Sequence, residues 1–251
     1  MKLLCCLLLL PCAALCQPKD TITLHPGQQF LVTEKLSNYT VAYELFSLRD
    51  GTEKKVGEIE DHFQIISVHG EKQGLRICKI TFGPNTILDS GLCLLTGLKP
   101  VYHRSKQSRK RMTIDFLDKQ IDGEVIYFTS RGDSSVSINS TSSVALFDSY
   151  YEDVIAITMR FEKGLRFKFP EYIYERGGLV WSTGQVVEKI TVQTEAGPEE
   201  VWKIEFAELD TKGVTVRTTT FLISARDRQI VSRTYKTSNG VILMKKRSVR
   251  G

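Results

Sequence analysis

The chain has 251 residues, with 34 lysines and arginines against 29 acidic residues and a formal charge of +5. Charges of both signs are interspersed along it, so composition makes no case for a nucleic-acid partner. A chain of this length can bury a core of its own, and the ordinary balance of apolar and charged residues excludes a disordered or fibrous protein.

Met1 and Lys2 precede the apolar run LLCCLLLLPCAALC, and Ala14 and Cys16 place small side chains before Gln17. This predicts a cleaved export signal over residues 1–16 and a mature chain over 17–251, periplasmic or extracellular. The run falls short of the roughly 20 apolar residues of a comfortable membrane span. Lipidation is disfavoured because Leu15 and Pro11, not small residues, precede Cys16 and Cys12.

From Phe30 to Gly70 the apolar period is two, with turn signals at Arg49-Asp50-Gly51 and Val68-His69-Gly70. GLRICKITF and SGLCLLTGL then flank the turn residues Gly83, Pro84 and Asn85, bringing Cys78 and Cys93 onto one predicted hairpin. Two readings stand: a disulfide, which an oxidising compartment tips slightly ahead, and two buried thiols acting as small apolar side chains. Neither is a redox or metal motif.

The basic cluster HRSKQSRKR, His103 to Arg111, lies between two strand-like runs and lacks the interleaved aromatics that stack bases. It is expected to be a solvated hairpin tip. RMTIDFLDKQIDGEVIYFTS continues the period of two, with a turn expected at Ile121-Asp122-Gly123. SRGDSSVSINSTSS is small and polar and predicts a loop. FDSYYEDVIAITMRF departs from the strand pattern: Ser149 as N-cap with Glu152 three residues on forms a capping box, and Tyr151, Val154, Ile155 and Thr158 share a helical face. Loop and helix, near 131–160, divide a single domain into two possible sheet-forming halves.

LRFKFPEYIYERGGLVW places Phe167, Phe169, Tyr172, Tyr174 and Trp181 in a short span. Core packing of one strand face is the first reading, because aromatics supply burial before recognition, and lining an apolar cavity is the other. Strands resume to the end, with breaks at Ala196-Gly197-Pro198 and Lys212-Gly213 and a final hairpin turned at Asn239-Gly240. Leu222, Ile230, Val231, Ile242 and Met244 do not follow one alternation, which suggests cover on both sheet faces.

LTGLKPVYHRSKQSRKRMTIDFLDKQIDGEV, LVWSTGQVV, EEVWKIEF and FLISARDRQIVSRTYKTSNGVILMKKR resemble an uncharacterised family of bacterial exported β proteins, itself similar to the periplasmic lipoprotein-carrier fold. The resemblance implies a curved half-barrel over an apolar cavity. Patterns for chemistry are absent: there is no G-x-S-x-G elbow, P-loop or dinucleotide glycine motif. His25, His62, His69 and His103 are each isolated and read as solvated or turn residues. Asp115, Asp118, Asp122 and Glu124 line one hairpin, where a solvated face is the ordinary reading and a converged acid–base pair the other. The Arg131-Gly132-Asp133 tripeptide is short enough to recur by chance in a polar loop, and the sequons at Asn38 and Asn139 carry meaning only in a host that glycosylates, whereas the resemblance points to bacteria.

The sequence therefore predicts an all-β protein, a strongly curved antiparallel sheet (half-barrel or open barrel-like) with one short helix. The expected role is a non-catalytic envelope protein without cofactor or metal, binding an apolar ligand, a lipid or a lipidated protein. The alternative is an interaction module for other envelope proteins without a ligand cavity, and a hydrolase using converged carboxylates comes third.

Overall fold

The computed structural model describes residues 21–238 and 240–247; the predicted export signal lies outside them. Two meanders make the architecture. The first runs through β2 (Tyr39–Arg49), β3 (Thr52–Val68), β4 (Glu71–Phe82), β5 (Asn85–Leu94), β6 (Lys99–Lys106), β7 (Lys110–Leu117), β8 (Gln120–Tyr127) and β9 (Ser134–Thr141). The second runs through β11 (Arg166–Ile173), β12 (Gly178–Thr194), β13 (Gly197–Leu209), β14 (Thr215–Ser224), β15 (Ile230–Thr237) and β16 (Gly240–Lys246). The last strand, β16, pairs antiparallel with β2, so the meanders fuse into one curved, open sheet of sixteen strands. Two-residue strands β1 (Ile22–Thr23) and β10 (Phe147–Asp148) lie parallel to β11, the one departure from antiparallel pairing among the described residues.

Turn chemistry sets the hairpins. Asp50 and Gly51, and likewise His69 and Gly70, take paired positive φ values, the type I′ geometry that matches strand twist. Register shifts interrupt five strand pairs, and such bulges bend a sheet and raise its twist. One explains the broken alternation near the C-terminus: Leu222 faces Ser232 and Ile223 faces Ile230, so Val231 is the extra residue. Cover on the second face is not needed there.

Three local expectations are corrected. The turn between β7 and β8 is Asp118-Lys119, not Ile121-Asp122-Gly123, which lies in β8. Asp118 takes φ 56° there, a left-handed conformation that aspartate tolerates better than most residues. The polar stretch expected as a loop contains β9, an edge strand in which Ile138 is the buried apolar residue; polar side chains suit an edge with one face in water. Ser149 does not cap the helix. Asp148 instead caps a 3-10 turn over Ser149–Tyr151, accepting the Tyr150 N–H at 3.1 Å, and that turn leads into α1 (Glu152–Thr158), whose own N-cap Tyr151 makes no side-chain capping bond.

Every residue of α1 is buried, not one face. Around its apolar part lies the larger core cluster, with Phe63, Phe147, Phe167, Phe169, Phe206 and Phe221 almost wholly excluded from solvent. A smaller cluster, built on Met112, Ile114, Phe116, Ile121, Val125 and Tyr172, packs β7, β8 and β9 against β11.

Candidate functional site

Between the two clusters, on the face that carries α1, lies a polar cavity of about 300 Å³. The period-two alternation of the strands builds it. Ile59 and Asp61 of β3, Arg76, Cys78 and Ile80 of β4, and His103 and Ser105 of β6 all point to this one face. Glu208, Arg217 and Arg233, from β13, β14 and β15, close it from the second meander.

The floor is an ionic network anchored on the first turn of α1. Arg76 binds Asp61 through Nε at 3.0 Å and Nη2 at 2.8 Å, and Nη2 reaches Asp153 at 2.6 Å. Its Nη1 donates to the Tyr150 carbonyl at 2.5 Å. Arg233 donates to Asp153 and, at 2.6 Å, to Glu152 Oε2. Arg217 donates to Glu152, and its Nε lies 2.9 Å from Glu208 Oε2, while Arg176 Nε takes Glu208 Oε1 at 2.7 Å. Glu152, Asp153, Asp61, Arg76 and Arg233 are all buried, where ions persist only when paired. Acidic residues also suit the first turn of a helix.

The titrations follow this geometry. Burial pushes the Asp153 carboxyl up, but Arg233 and Arg76 outweigh it and hold the group below the ordinary carboxylate range. Glu171, packed beside the network and accepting from Ser182 Oγ, is pushed up to about 8 by burial, with the nearby charge of Glu152 adding to the effect.

At the β5–β6 wall the His103 ring stacks on Tyr150 with centroids 4.6 Å apart, and its Nδ1 lies 3.4 Å from Asp148 Oδ2. Gly91 makes room for this arrangement, since a Cβ there would meet the Tyr150 ring at 2.8 Å. Burial lowers the His103 pKa, but Asp148 and Asp89 outweigh it and raise the value above that of a free histidine. Asp89 is raised by burial, with Ser105 and His103 opposing. His103 Nε2 and Asp89 Oδ1 are buried and without a hydrogen-bond partner.

The residues singled out in the sequence fare unevenly. Phe167 and Phe169 belong to the larger core cluster, Tyr172 to the smaller one, and Tyr174 packs against the latter. Trp181 is half-buried, with Lys168 Nζ 5.4 Å above its ring. None of the five lines the polar cavity; Phe167, Phe169, Tyr172 and Tyr174 pack in or against the core, and Phe167 also borders a separate hollow of about 390 Å³ on the β11–β14 side. The Cys78–Cys93 disulfide is corrected to two buried free thiols. Cys78 faces Asp89 and Cys93 faces Gly74 across β4 and β5, a stagger of four residues, or about 13 Å at the strand rise, beyond the span of a disulfide. Burial pushes both thiols up to about 12.

The basic cluster does turn at residues 107–109, but its first residue, His103, is buried and not solvated. His62 and His69 are exposed and His25 half-buried. On the β7–β8 hairpin, Asp115 pairs with Arg104 and Asp118 with Lys99, outside the cavity. The network itself went unread in the sequence. Its one local signal was Glu152-Asp153 opening a segment otherwise destined for burial.

Among the described residues, no cluster of three or more histidine, cysteine or acidic side chains is arranged to hold a metal, and no helix is long and apolar enough to cross a membrane. No functionally curated protein matches the chain. Among solved structures, a β-barrel-like DUF1849 protein of unknown function from Brucella abortus superimposes with a TM-score of 0.55 at 12% identity, covering 85% of this chain and 97% of its own. This likeness supports the barrel-like fold alone. A candidate exported protein with a YmcC-like fold from Bacteroides fragilis aligns at 8% identity over 91% of this chain and 99% of its own, with a TM-score of 0.37. A DUF1329 protein from Desulfovibrio piger aligns at 10% identity over 84% and 83%, with a TM-score of 0.32. The model of a protein family of unknown function spans residues 38–245, from the first long strand to the last, and the chain belongs to that family, DUF3108.

Proposed function

We propose that the protein is a non-catalytic exported protein of the cell envelope that binds a small polar ligand in the cavity between its two meanders. The observation that carries this reading is the cavity itself, about 300 Å³ and walled by buried charged residues from both halves of the sheet. That volume sits at the small end of the range for ligand pockets. The apolar ligand expected from the sequence is less well served: the pocket beside Tyr39, Val41 and Ile157 amounts to about 30 Å³, and the hollow of about 390 Å³ that Phe167 and Phe206 border is otherwise walled largely by polar residues such as Arg166, Gln185, Glu205 and Thr218. Binding is favoured over catalysis because the ionisable groups on the cavity wall are largely tied to one another and Cys78 is far from a thiolate.

The test is native mass spectrometry of the full-length protein purified from its own host, followed by extraction of whatever it carries. A stoichiometric polar adduct, lost when Arg217→Ala opens the wall, is the expected result. A bound lipid or acyl chain, or a clean apo mass, contradicts the reading.

A further inference from the structure

The charges on the cavity wall pair off with one exception. Asp61 and Asp153 serve Arg76, Glu152 and Asp153 serve Arg233, Glu152 and Glu208 serve Arg217, and Glu175 holds Lys110 at 3.0 Å. Asp89 has no lysine or arginine partner among the described residues, and its Oδ1 is buried without a hydrogen bond. On the neighbouring strand His103, only 9% exposed, turns one nitrogen toward Asp148 and leaves Nε2 buried and unpartnered. Asp89 lies opposite Ser105, two residues from His103, and both line the cavity. Diagonal neighbours on adjacent strands are about 7–8 Å apart at the backbone, within the span of one small molecule.

Nδ1 faces the Asp148 carboxylate, so its proton is directed there, and the nearby carboxylates of Asp148 and Asp89 favour the imidazolium, the form in which Nε2 also donates. The wall therefore sets a carboxylate beside an imidazole, and each keeps one buried atom, Asp89 Oδ1 and His103 Nε2, without a partner. A simple anion would meet Asp89, and a simple cation would meet the imidazolium and Lys110. A neutral polyol would leave the charge of Asp89 unmatched in a poorly solvated place.

We propose that Asp89 and His103 form a recognition site for a small zwitterion of amino-acid type, its ammonium on Asp89 and its carboxylate on His103. This rests on the polar-cavity reading and names the ligand chemistry within it. Ser105 and Gln107, bonded to each other at 3.4 Å, and Lys110 lie beside the pair and contact the body of the ligand.

The test is isothermal titration calorimetry of the full-length protein with the common L-amino acids, glycine and β-alanine. Acetate, methylammonium and glucose serve as probes carrying only one part of the required chemistry. At least one zwitterion is expected to bind tenfold or more tighter than each partial probe. Asp89→Asn and His103→Gln should each weaken it at least tenfold, while Asp89→Asn without ligand melts at or above the parent temperature because an unpaired buried carboxylate has been removed. That melting readout separates a binding role from a structural one. Glucose or acetate binding as tightly, an unchanged affinity in Asp89→Asn, or no zwitterion binding at all overturns the assignment. A sugar or phosphate adduct in native mass spectrometry would end it while leaving the polar cavity in place, whereas a clean apo mass together with silent titrations would remove both.

Discussion

Two kinds of interior meet along α1. Ile155, Ala156 and Ile157 join a cluster in which Phe206 packs edge-on against Phe167, Phe169 and Phe221, with centroids 5.0–5.5 Å apart. Just before them in the chain, Glu152 and Asp153 are as thoroughly buried among Arg76, Arg217 and Arg233. In the aromatic region each ring gains from leaving water on its own account. In the ionic region each charge loses hydration, and stability depends on every partner being present. The first region supplies rigidity, and the second shapes a wetter space next to it.

The largest effects come from breaking each region once. Asp153→Ala leaves Arg76 and Arg233 without a shared carboxylate and is expected to cost about 3–5 kcal/mol. Phe206→Ala should cost a similar amount, about 3–5 kcal/mol, through the cavity it opens. Urea denaturation measures both. The regions part company on rescue: combining Asp61→Leu and Asp153→Leu with Arg76→Met and Arg233→Met, which leaves Glu152 paired with Arg217, should return stability to the parent value or above it, because uncharged side chains need no partner. If this fourfold variant is no more stable than Asp153→Ala, the ionic region is packed as specifically as the aromatic one and the contrast fails.

A smaller effect probes the tightness of the aromatic side. Gly184 lies against Phe167, whose ring would be 2.3 Å from an added Cβ, so Gly184→Ala should cost about 1–3 kcal/mol from overpacking. A neutral result would mean that the aromatic side yields easily.

The ionic side should reveal itself through pH. Glu171 rises in the folded state from an ordinary 4.5 to about 8, so the folded protein holds a proton that the unfolded chain releases. Its contribution to stability is fully present below about 4.5 and is lost as pH rises through about 8. Glu171→Gln should flatten that decline, seen as a smaller change in melting temperature between pH 5 and pH 8.5. Asp153 has the opposite sign: held low, it stabilises above its ordinary range and loses that contribution as pH falls through its folded value. The smallest effect belongs to the hairpin tip, where Arg109 is exposed and Arg109→Ser should stay within about 0.5 kcal/mol.

The aromatic side was legible in the sequence because its information is local. Phe167 and Phe169 alternate with Arg166 and Lys168 on one strand, and period two states which side is buried. The two meanders and most of their turns followed from the same alternation and from glycine-bearing pairs. β9 stayed hidden because an edge strand can be polar along most of its length, with Val136 and Ile138 its only apolar residues, and the Val231 bulge hid because one inserted residue shifts the pattern without leaving a compositional mark. The cavity was out of reach for a different reason. Arg76, Asp153 and Arg233 each resemble an ordinary surface charge in sequence, and they become a site only when separate strands and one helix turn bring them together. Asp61 sits beside His62, which is exposed, and nothing local in the sequence ties it to Arg76, fifteen positions away in the chain but bonded to it across adjacent strands.

A crystal structure at atomic resolution of the protein purified from its own host, with no added ligand, tests the central claim most directly. The account predicts ordered density for one small molecule in the cavity, its donor group against Asp89 and its acceptor against His103 Nε2. Density for an acyl chain within the aromatic core, or a direct Asp89–His103 contact closing the cavity with nothing bound, would contradict it.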